Sequence, residues 1–366
     1  MPDEPVFSVV TTTINVPHLL GDYARDALAH GREVEQFVVA GDRRSAPGSA
    51  EHCAAVERET GFPCRFLDVD EQTRFLARSP ELAELLPWNS TLRRNVALLV
   101  AWDGEADIVV TLDDDNFLEQ EDYFGRHAHL GQTQDLEAAE SPTGWWNVCE
   151  MLTEERGVPF YPRGFPLSRR AADGQTQVRT VFGRAAVNAG LWLQDPDVDA
   201  LTRLACPVRS TGTAASFRDT LACAVGTWSP FGAQNTALLR EAIPAYFLLP
   251  GAGRFEDVWA SYVLRHVADA RGDYVTYGAP LVRQERNEHD LFADLDAERF
   301  GLEHTDCFLD GLRACSVGGD GYADGYRSIA DEFPAAIAEA CGRHRKDPRG
   351  FEAICTGMRI WAGLFV

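Results

Sequence analysis

The sequence predicts an α/β fold in which a mostly parallel sheet is flanked by helices on both faces. Short apolar runs rich in β-branched residues recur along the first third of the chain, and segments with helical spacing lie between them. This alternation of strands and helices is typical of parallel sheets. The apolar runs cover residues 6–11, 34–40, 64–69 and 106–111, and the helical segments include 17–30 and 90–102.

Length and composition predict a substantial core. The chain has 366 residues, of which 45% are hydrophobic and 25% are charged, so it can bury a large apolar interior. We expect a main domain at 1–300 and a C-terminal helical appendage at 301–366, with a flexible glycine-rich joint at 318–321 inside the appendage. The spacing of Ile329, Phe333 and Ile337 predicts an amphipathic helix in the appendage. That helix either covers the sheet or forms a homo-oligomer interface.

The net charge of the chain and its first five residues exclude some classes of protein. The net charge of -22 argues against nucleic acid as a partner, because binding to a nucleic-acid backbone needs clustered cations. Residues 1–5 lack the basic and apolar regions of a signal peptide, and no segment is apolar enough to span a membrane. Nine cysteines without Cys-x-x-Cys spacing indicate buried thiols. We therefore expect a cytoplasmic protein.

Three consecutive carboxylates follow the fourth apolar run. Asp113, Asp114 and Asp115 come where a buried strand should end, and ligands of parallel sheets bind at such ends. Hard oxygen ligands favour Mn²⁺ or Mg²⁺. On an extended chain Asp113 and Asp115 would share one face and bind the metal, leaving Asp114 for a ribose. The alternative is a solvated acidic turn.

Other polar residues are expected at the same edge of the sheet. Thr11 and Thr12 end the first strand and Asp42 follows the second, so all three are candidate substrate-binding residues. A helix starting near Ser90 would place Arg94 in its first turn, where the guanidinium and the helix N-terminus can face a phosphate. The alternative for Arg94 is an exposed arginine.

Besides the acidic triplet, several blocks of unusual composition follow one another along the chain. They are RGFPLSRR at 163–170, NAGLWL at 188–193, DPDVDA at 195–200, FGAQNTA at 231–237 and GRFEDVWA at 253–260. In this order the blocks resemble the reversibly glycosylated polypeptide family, whose plant members are UDP-arabinopyranose mutases. The similarity runs over about 6–295 and implies a glycosyltransferase-A-like fold, UDP-sugar binding, dependence on Mn²⁺ or Mg²⁺, and interconversion of pyranose and furanose rings. It also implies self-glycosylation on Arg163, with Arg170 as a second functional arginine.

The chemistry of an arginine nucleophile requires a proton acceptor, because a guanidinium stays protonated at neutral pH. Glu256 and Asp257 are the candidate catalytic carboxylates, although acidic residues also favour the first turn of any helix. Asn188 and Asn235 are candidate substrate-binding residues, with core packing or turn formation as the alternative.

The chain departs from the plant members after the last predicted strand. Where those members carry Trp-His-Ser, this chain has Gln284, and His289 follows five residues later. His289 is a candidate third metal ligand, with a surface role as the alternative. The departure leaves three function classes open: a UDP-sugar mutase, a glycosyltransferase that moves the sugar to an acceptor, and a non-catalytic partner subunit.

Overall fold

A computed structural model describes residues 4–170, 175–286 and 290–365. Within these ranges the strands are β1 (Phe7–Thr12), β2 (Val34–Ala40), β3 (Cys64–Leu67), β4 (Ile108–Leu112), β5 (Asn116–Leu118), β6 (Thr133–Glu140), β7 (Leu152–Glu154), β8 (Gln177–Gln194), β9 (Ser210–Thr213), β10 (Thr220–Cys223), β11 (Asn235–Leu239) and β12 (Tyr274–Gln284). The α-helices are α1 (Leu20–Ala29), α2 (Ser49–Thr60), α3 (Val69–Leu76), α4 (Pro80–Leu85), α5 (Arg94–Trp102), α6 (Ala200–Ala205), α7 (Glu256–Arg271), α8 (Leu291–Arg313), α9 (Tyr322–His344) and α10 (Glu352–Ala362). Short 3₁₀ turns cover Thr91–Arg93, Gly125–His127, Val148–Met151, Leu167–Arg169, Arg240–Ala245, Gly253–Phe255 and Pro348–Phe351.

Four parallel strands form the first half of the sheet, in the order β3-β2-β1-β4. Their β-branched residues are fully buried, since helices cover the sheet and α5 packs on β1 and β2. The register places Thr11 beside Val39 of β2 and Leu112 of β4. The carboxyl ends of β1, β2 and β4 therefore meet at one edge, as the sequence predicts.

The second half of the sheet is mixed. β11 runs antiparallel to both β4 and β8, whereas β12 runs parallel to β8 and antiparallel to β10. The predicted α/β architecture, a sheet flanked by helices, is confirmed. Within the described residues β3-β2-β1-β4 is the continuous run of parallel strands, and the other parallel pairs, β12 with β8 and β10 with β6, stand among antiparallel neighbours. Because β11 is antiparallel to β4, Asn235 lies beside Leu112, and the loop before β11 reaches the acidic triplet.

The C-terminal helices pack on the main body rather than standing apart. α8 begins at Leu291 and crosses residue 300, the predicted domain boundary. The Trp259 ring of α7 stacks on Phe308 of α8 at 4.4 Å, and Phe247 stacks on Trp361 of α10 at 4.7 Å. Along the described ranges, the helices are all too short or too polar to cross a membrane.

Candidate active site

One cavity of about 610 Å³ opens at the carboxyl ends of β1 and β4, bounded on its other side by the N-terminus of α7. It gathers candidates from six separate parts of the chain. The predicted site residues that line it are Thr12, Asp42, Arg94, Asp113, Asp114, Asp115, Arg163, Glu256 and Asp257.

The acidic triplet forms a turn between β4 and β5 instead of continuing the strand. The prediction of alternating faces is therefore wrong, because β4 ends at Leu112 and the chain reverses there. Asp113 forms a salt bridge with Arg94, whose guanidinium also donates to the carbonyls of Ala233 (2.7 Å) and Leu112 (3.2 Å). Burial would lower the pKa of Arg94, but the Asp113 carboxylate raises it overall. Arg94 thus joins β4 to the loop before β11 and holds Asp113.

Asp114 turns toward the loop that follows β1. Its Oδ2 accepts hydrogen bonds from the Thr13 hydroxyl and from Asn15 Nδ2, the latter at 3.0 Å. Thr13 in turn accepts from the Asn15 backbone N–H at 2.8 Å. These contacts join the two loops that form one wall of the cavity.

Asp115 is the carboxylate that suits a cation best. Its Oδ1 is buried and has no hydrogen-bond partner in the described part of the chain. Burial, together with the charges of Asp113 and Asp114, raises the pKa of Asp115 to about 7, while the neighbouring Gln284 side chain opposes the shift. Among the residues described, no three His, Cys, Asp or Glu side chains converge on one point. This donor set still fits Mg²⁺ or Mn²⁺, since such ions commonly use one or two carboxylates and complete their shell with water and phosphate oxygens.

Arg163 lies in a buried cluster with two carboxylates. Its Nε donates to Asp197 at 3.0 and 3.2 Å, and its Nη1 and Nη2 donate to the two oxygens of Asp257 at 3.0 and 3.1 Å. Nη1 also donates to the Arg254 carbonyl. Burial would lower the pKa of Arg163, but Asp197 and Asp257 raise it well above its ordinary value. We call Arg163, Asp197 and Asp257 the Arg163 cluster.

Glu256 lies at the start of α7, beside this cluster. Its Oε1 accepts from the Thr91 hydroxyl, whereas its Oε2 is buried and unpartnered. Burial and the charge of Asp257 raise the pKa of Glu256; for Asp257, burial acts in the same direction, but Arg163 lowers the pKa overall. Two adjacent carboxyl groups therefore differ in acidity, which is the arrangement that separates a proton carrier from a permanent anion.

Asp42 fixes the loop that precedes α5. Its Oδ1 accepts from the Asn89 backbone N–H at 2.7 Å, and its Oδ2 accepts from that of Ser90 at 3.1 Å. At the end of β1, Thr12 donates to the Ala40 carbonyl at 3.0 Å. Thr11 is buried in β1 with an unpartnered hydroxyl and is absent from the described lining of the cavity.

Both candidate asparagines are buried in the core, and neither is among the described residues that line the cavity, so their predicted contact with substrate stays a prediction without geometric support. The Asn188 amide is fully buried on β8 between His127 (2.9 Å), the Ala279 carbonyl (2.8 Å) and the Thr276 hydroxyl (2.9 Å). The Asn235 amide donates to the Pro280 carbonyl at 2.9 Å. Their hydrogen bonds hold neighbouring strands together.

Arg170 also lies away from the cavity lining. Its guanidinium forms a salt bridge with Asp199 and donates to the Thr202 hydroxyl at 3.2 Å, at the start of α6. The prediction that Arg170 is catalytic therefore has no geometric support at this site. The predicted metal ligand His289 lies outside the described residues.

Several cavity residues escaped the sequence reasoning. Asp197 was visible only as part of the block 195–200, and Thr13 and Asn15 only as residues after a strand. Arg254 and Arg286 carry no local pattern that separates them from the other arginines. All five line the cavity.

Comparison with known proteins identifies relatives over most of the chain. The model of the reversibly glycosylated polypeptide family matches residues 97–362. UDP-arabinopyranose mutase 3 of Arabidopsis thaliana is 29% identical over 200 residues, covering 53% of this chain and 51% of the relative. Probable UDP-arabinopyranose mutase 1 of Pisum sativum is 32% identical over 202 residues, covering 53% and 51%. The matched part of the chain thus spans about half the length of these relatives.

Solved structures also match. Glucosyl-3-phosphoglycerate synthase from Mycobacterium tuberculosis, in complex with Mn²⁺ and UDP-glucose, is 12% identical with a TM-score of 0.41, covering 83% of this chain and 78% of that one. A mannosyltransferase from Pyrobaculum calidifontis, in complex with GDP-mannose and Mn²⁺, is 12% identical with a TM-score of 0.40, covering 93% and 74%.

Proposed function

Because this chain belongs to the reversibly glycosylated polypeptide family, we propose that it is a metal-dependent mutase that interconverts the pyranose and furanose forms of a UDP-sugar resembling UDP-arabinose. One observation carries the proposal: a single cavity holds the acidic turn at 113–115 on one side and the Arg163 cluster with Glu256 on the other. Diphosphate chemistry and sugar chemistry need these two kinds of group within reach of one ligand.

At the nucleotide end, negative charge grows on UDP as its bond to the sugar breaks. A bound Mn²⁺ or Mg²⁺ offsets that charge, and Asp113 and Asp115 are the residues that would hold it. Arg94 keeps Asp113 in place through their salt bridge. Asp114 ties the acidic turn to the loop after β1. The turn is therefore preorganised before the ligand binds.

At the sugar end, ring interconversion needs a proton to move twice. One hydroxyl gives up its proton as it bonds to the anomeric carbon in place of UDP, and the former ring oxygen receives a proton when UDP bonds to that carbon again and the ring C–O bond breaks. We assign both transfers to Glu256 Oε2, which has no hydrogen-bond partner among the described residues. Burial and the charge of Asp257 raise the pKa of Glu256, which favours uptake of a proton. The Arg163 cluster contains two carboxylates and one guanidinium, so its net negative charge favours the positive charge that develops on the anomeric carbon.

The same contacts oppose a covalent bond between sugar and Arg163. A guanidinium attacks only after it loses a proton, and the pKa of Arg163 is raised by Asp197 and Asp257 against the opposing effect of burial. Attack would also require Arg163 to give up hydrogen bonds to one of these carboxylates. We therefore assign Arg163 a charged, positioning role, in contrast to the self-glycosylation that the family resemblance implies.

A glycosyltransferase is the second candidate, and Gln284 is the observation that favours it. Gln284 is buried in the cavity wall and pairs with Gln234 at 3.5 Å. It stands where the resemblance implies a histidine, so the sugar end differs from that of the plant mutases. A non-catalytic partner subunit is less well supported. Asp115 and Glu256 line the cavity, and each keeps a buried oxygen that has no hydrogen-bond partner among the described residues, an arrangement that is unfavourable without a ligand.

The test is incubation of the purified protein with Mn²⁺ and UDP-arabinose, UDP-galactose or UDP-glucose, followed by chromatography of the nucleotides and intact-protein mass measurement. We expect an isomeric UDP-sugar and an unmodified protein mass. A mass increase of one sugar would contradict the role given to Arg163 while supporting turnover. Unchanged nucleotides, with isomerisation absent for all three sugars, would favour the transferase.

A further inference from the structure

Four arginines line the cavity, and they differ in how firmly they are held. The guanidiniums of Arg94 and Arg163 are committed to carboxylates and backbone carbonyls, and their side chains expose only 5% and 9% of their surface. The side chain of Arg254 exposes 32% and that of Arg286 exposes 11%. Arg254 is therefore the most accessible of the four, whereas Arg286 is about as buried as Arg163 and differs from it in how it is paired.

Arg254 and Arg286 share one carboxylate. Arg254 Nη1 lies 3.5 Å from Asp294 Oδ1, and Arg286 Nη2 lies 3.3 Å from Asp294 Oδ2. Arg254 Nε also lies 3.3 Å from Glu298 on the next turn of α8. These separations are longer than the contacts of 3.0, 3.2, 3.0 and 3.1 Å that Arg163 makes with its two carboxylates, and Arg163 makes four such contacts. The first turns of α8 therefore orient both guanidiniums without holding them as tightly as the Arg163 cluster is held.

The backbone connects Arg286 with the acidic turn and Arg254 with the Arg163 cluster. The Glu285 N–H donates to the Asp115 carbonyl at 3.1 Å, so Arg286 follows directly after a residue bonded to that turn. The carbonyl of Arg254 accepts from Arg163, which places Arg254 next to the proposed sugar end. The arginine pair thus lies between the two ends of the cavity, where the diphosphate of a nucleotide-sugar would lie.

We propose that Arg254 and Arg286 bind the diphosphate of the nucleotide ligand and that Asp294 orients them for it. This inference rests on the proposed function, and it deepens that function by naming the cations that meet the phosphates. Guanidinium groups suit this role because their fixed N–H donors match phosphate oxygens in pairs. Arg254 and Arg286 take the phosphate-binding role that the sequence pattern assigned to Arg94, because the Arg94 guanidinium is already bound to Asp113.

Calorimetric titration of UDP and UMP into wild-type protein and into the Arg254→Gln, Arg286→Gln and double variants, all with Mn²⁺ present, tests the proposal. UDP carries the diphosphate and UMP has a single phosphate. Each single substitution should weaken UDP binding by about tenfold or more, with a smaller loss for UMP. Arg283→Gln is the matched control, because Arg283 lies on β12 beside Glu119, outside the cavity lining.

The outcomes separate the inference from the function on which it rests. If wild-type protein binds UDP and the two glutamine variants keep the wild-type ratio of UDP to UMP affinity, the assignment of the arginine pair is wrong and the proposed function stands. If wild-type protein binds no UDP, the proposed function fails first. Where a glutamine variant does not fold, Arg254→Lys and Arg286→Lys replace it, because lysine keeps the charge but loses the paired donors. A reduced ratio of UDP to UMP affinity is still expected for the lysine variants. An unchanged ratio overturns the assignment.

Discussion

Replacing Arg163 by Met should destabilise the protein strongly, because it leaves two carboxylates without their cation in a nearly buried site. The side chains of Arg163, Asp197 and Asp257 expose only 9%, 9% and 12% of their surface. Removing one member of a buried ion pair typically costs about 3–5 kcal/mol. Asp257 keeps backbone N–H donors from Ala233 and Val258, both at 2.9 Å, so we expect a loss of free energy of unfolding within that range, about 3–5 kcal/mol, rather than above it.

The sign of the pH dependence follows from the same contacts. In the wild-type protein the pKa of Asp257 is lowered by Arg163 although burial alone would raise it, so its ionised form contributes stability that is lost as pH falls through the lowered value. In Arg163→Met the largest lowering causes are lost, and the raising effect of burial is opposed by the Ala233 N–H and the charge of Arg94. The variant therefore regains stability as pH falls and the carboxyl group takes up a proton, and the difference between the two proteins narrows toward acidic pH.

Urea unfolding followed by tryptophan fluorescence at pH 7.5 and pH 5 measures both effects. Arg299→Met is the matched control, since Arg299 forms a surface pair with Asp296 in which the side chains are 65% and 69% exposed, and such pairs contribute about 1 kcal/mol or less. The double variant Arg163→Met/Asp257→Asn should lose less stability than Arg163→Met alone. The reasoning is refuted if Arg163→Met costs no more than Arg299→Met at pH 7.5, or if its deficit grows at pH 5.

Three further predictions concern the proposed roles of single residues. Glu256→Gln should lower turnover of the UDP-sugar about 10²–10⁴-fold. In the wild-type pH-rate profile the acidic limb should lie above the ordinary range of glutamate, because burial and the charge of Asp257 raise the pKa of Glu256. An unshifted limb that persists in the variant would assign that limb to another group. Asp115→Ala should reduce UDP affinity in Mn²⁺ to its metal-free value, and calorimetry showing full Mn²⁺ enhancement would remove Asp115 from the metal site. Asn235→Ala should cost about 1–3 kcal/mol of unfolding free energy while UDP affinity stays constant. The reason is that the Asn235 amide bridges the Tyr123 hydroxyl and the Pro280 carbonyl. Weakened UDP binding by a folded variant would show instead that Asn235 contributes to ligand binding.

The parallel half of the sheet and the place of the acidic turn follow from local sequence patterns. β-branched runs ending in polar residues predict strands, and parallel strands bring their carboxyl ends to one edge. These local patterns are enough to place Asp42 and Asp113 at that edge. They are not enough to predict the conformation of the acidic triplet, because strand periodicity does not show that β4 ends at Leu112.

Side-chain orientation in the second half of the sheet depends on pairing between distant segments. Asn188 and Asn235 lie on strands buried on both faces, where sequence alternation carries no information about direction. Their partners, such as Thr276 and Tyr123, are about 90 and 112 residues away. The contact between Arg163 and Asp197 likewise joins two loops, so the family resemblance pointed to Arg163 but not to the carboxylate that it binds.

The charge of the cavity connects the metal with the arginine pair. Among the described residues, seven carboxyl groups and four arginines line it, and two of those arginines are already neutralised by Asp113 and by the Arg163 cluster. The remaining arginines alone leave an anionic wall facing an anionic diphosphate. A divalent cation on the acidic turn reverses the local charge there. UDP affinity should therefore depend jointly on Mn²⁺ and on Arg254 and Arg286, each group covering one side of the diphosphate.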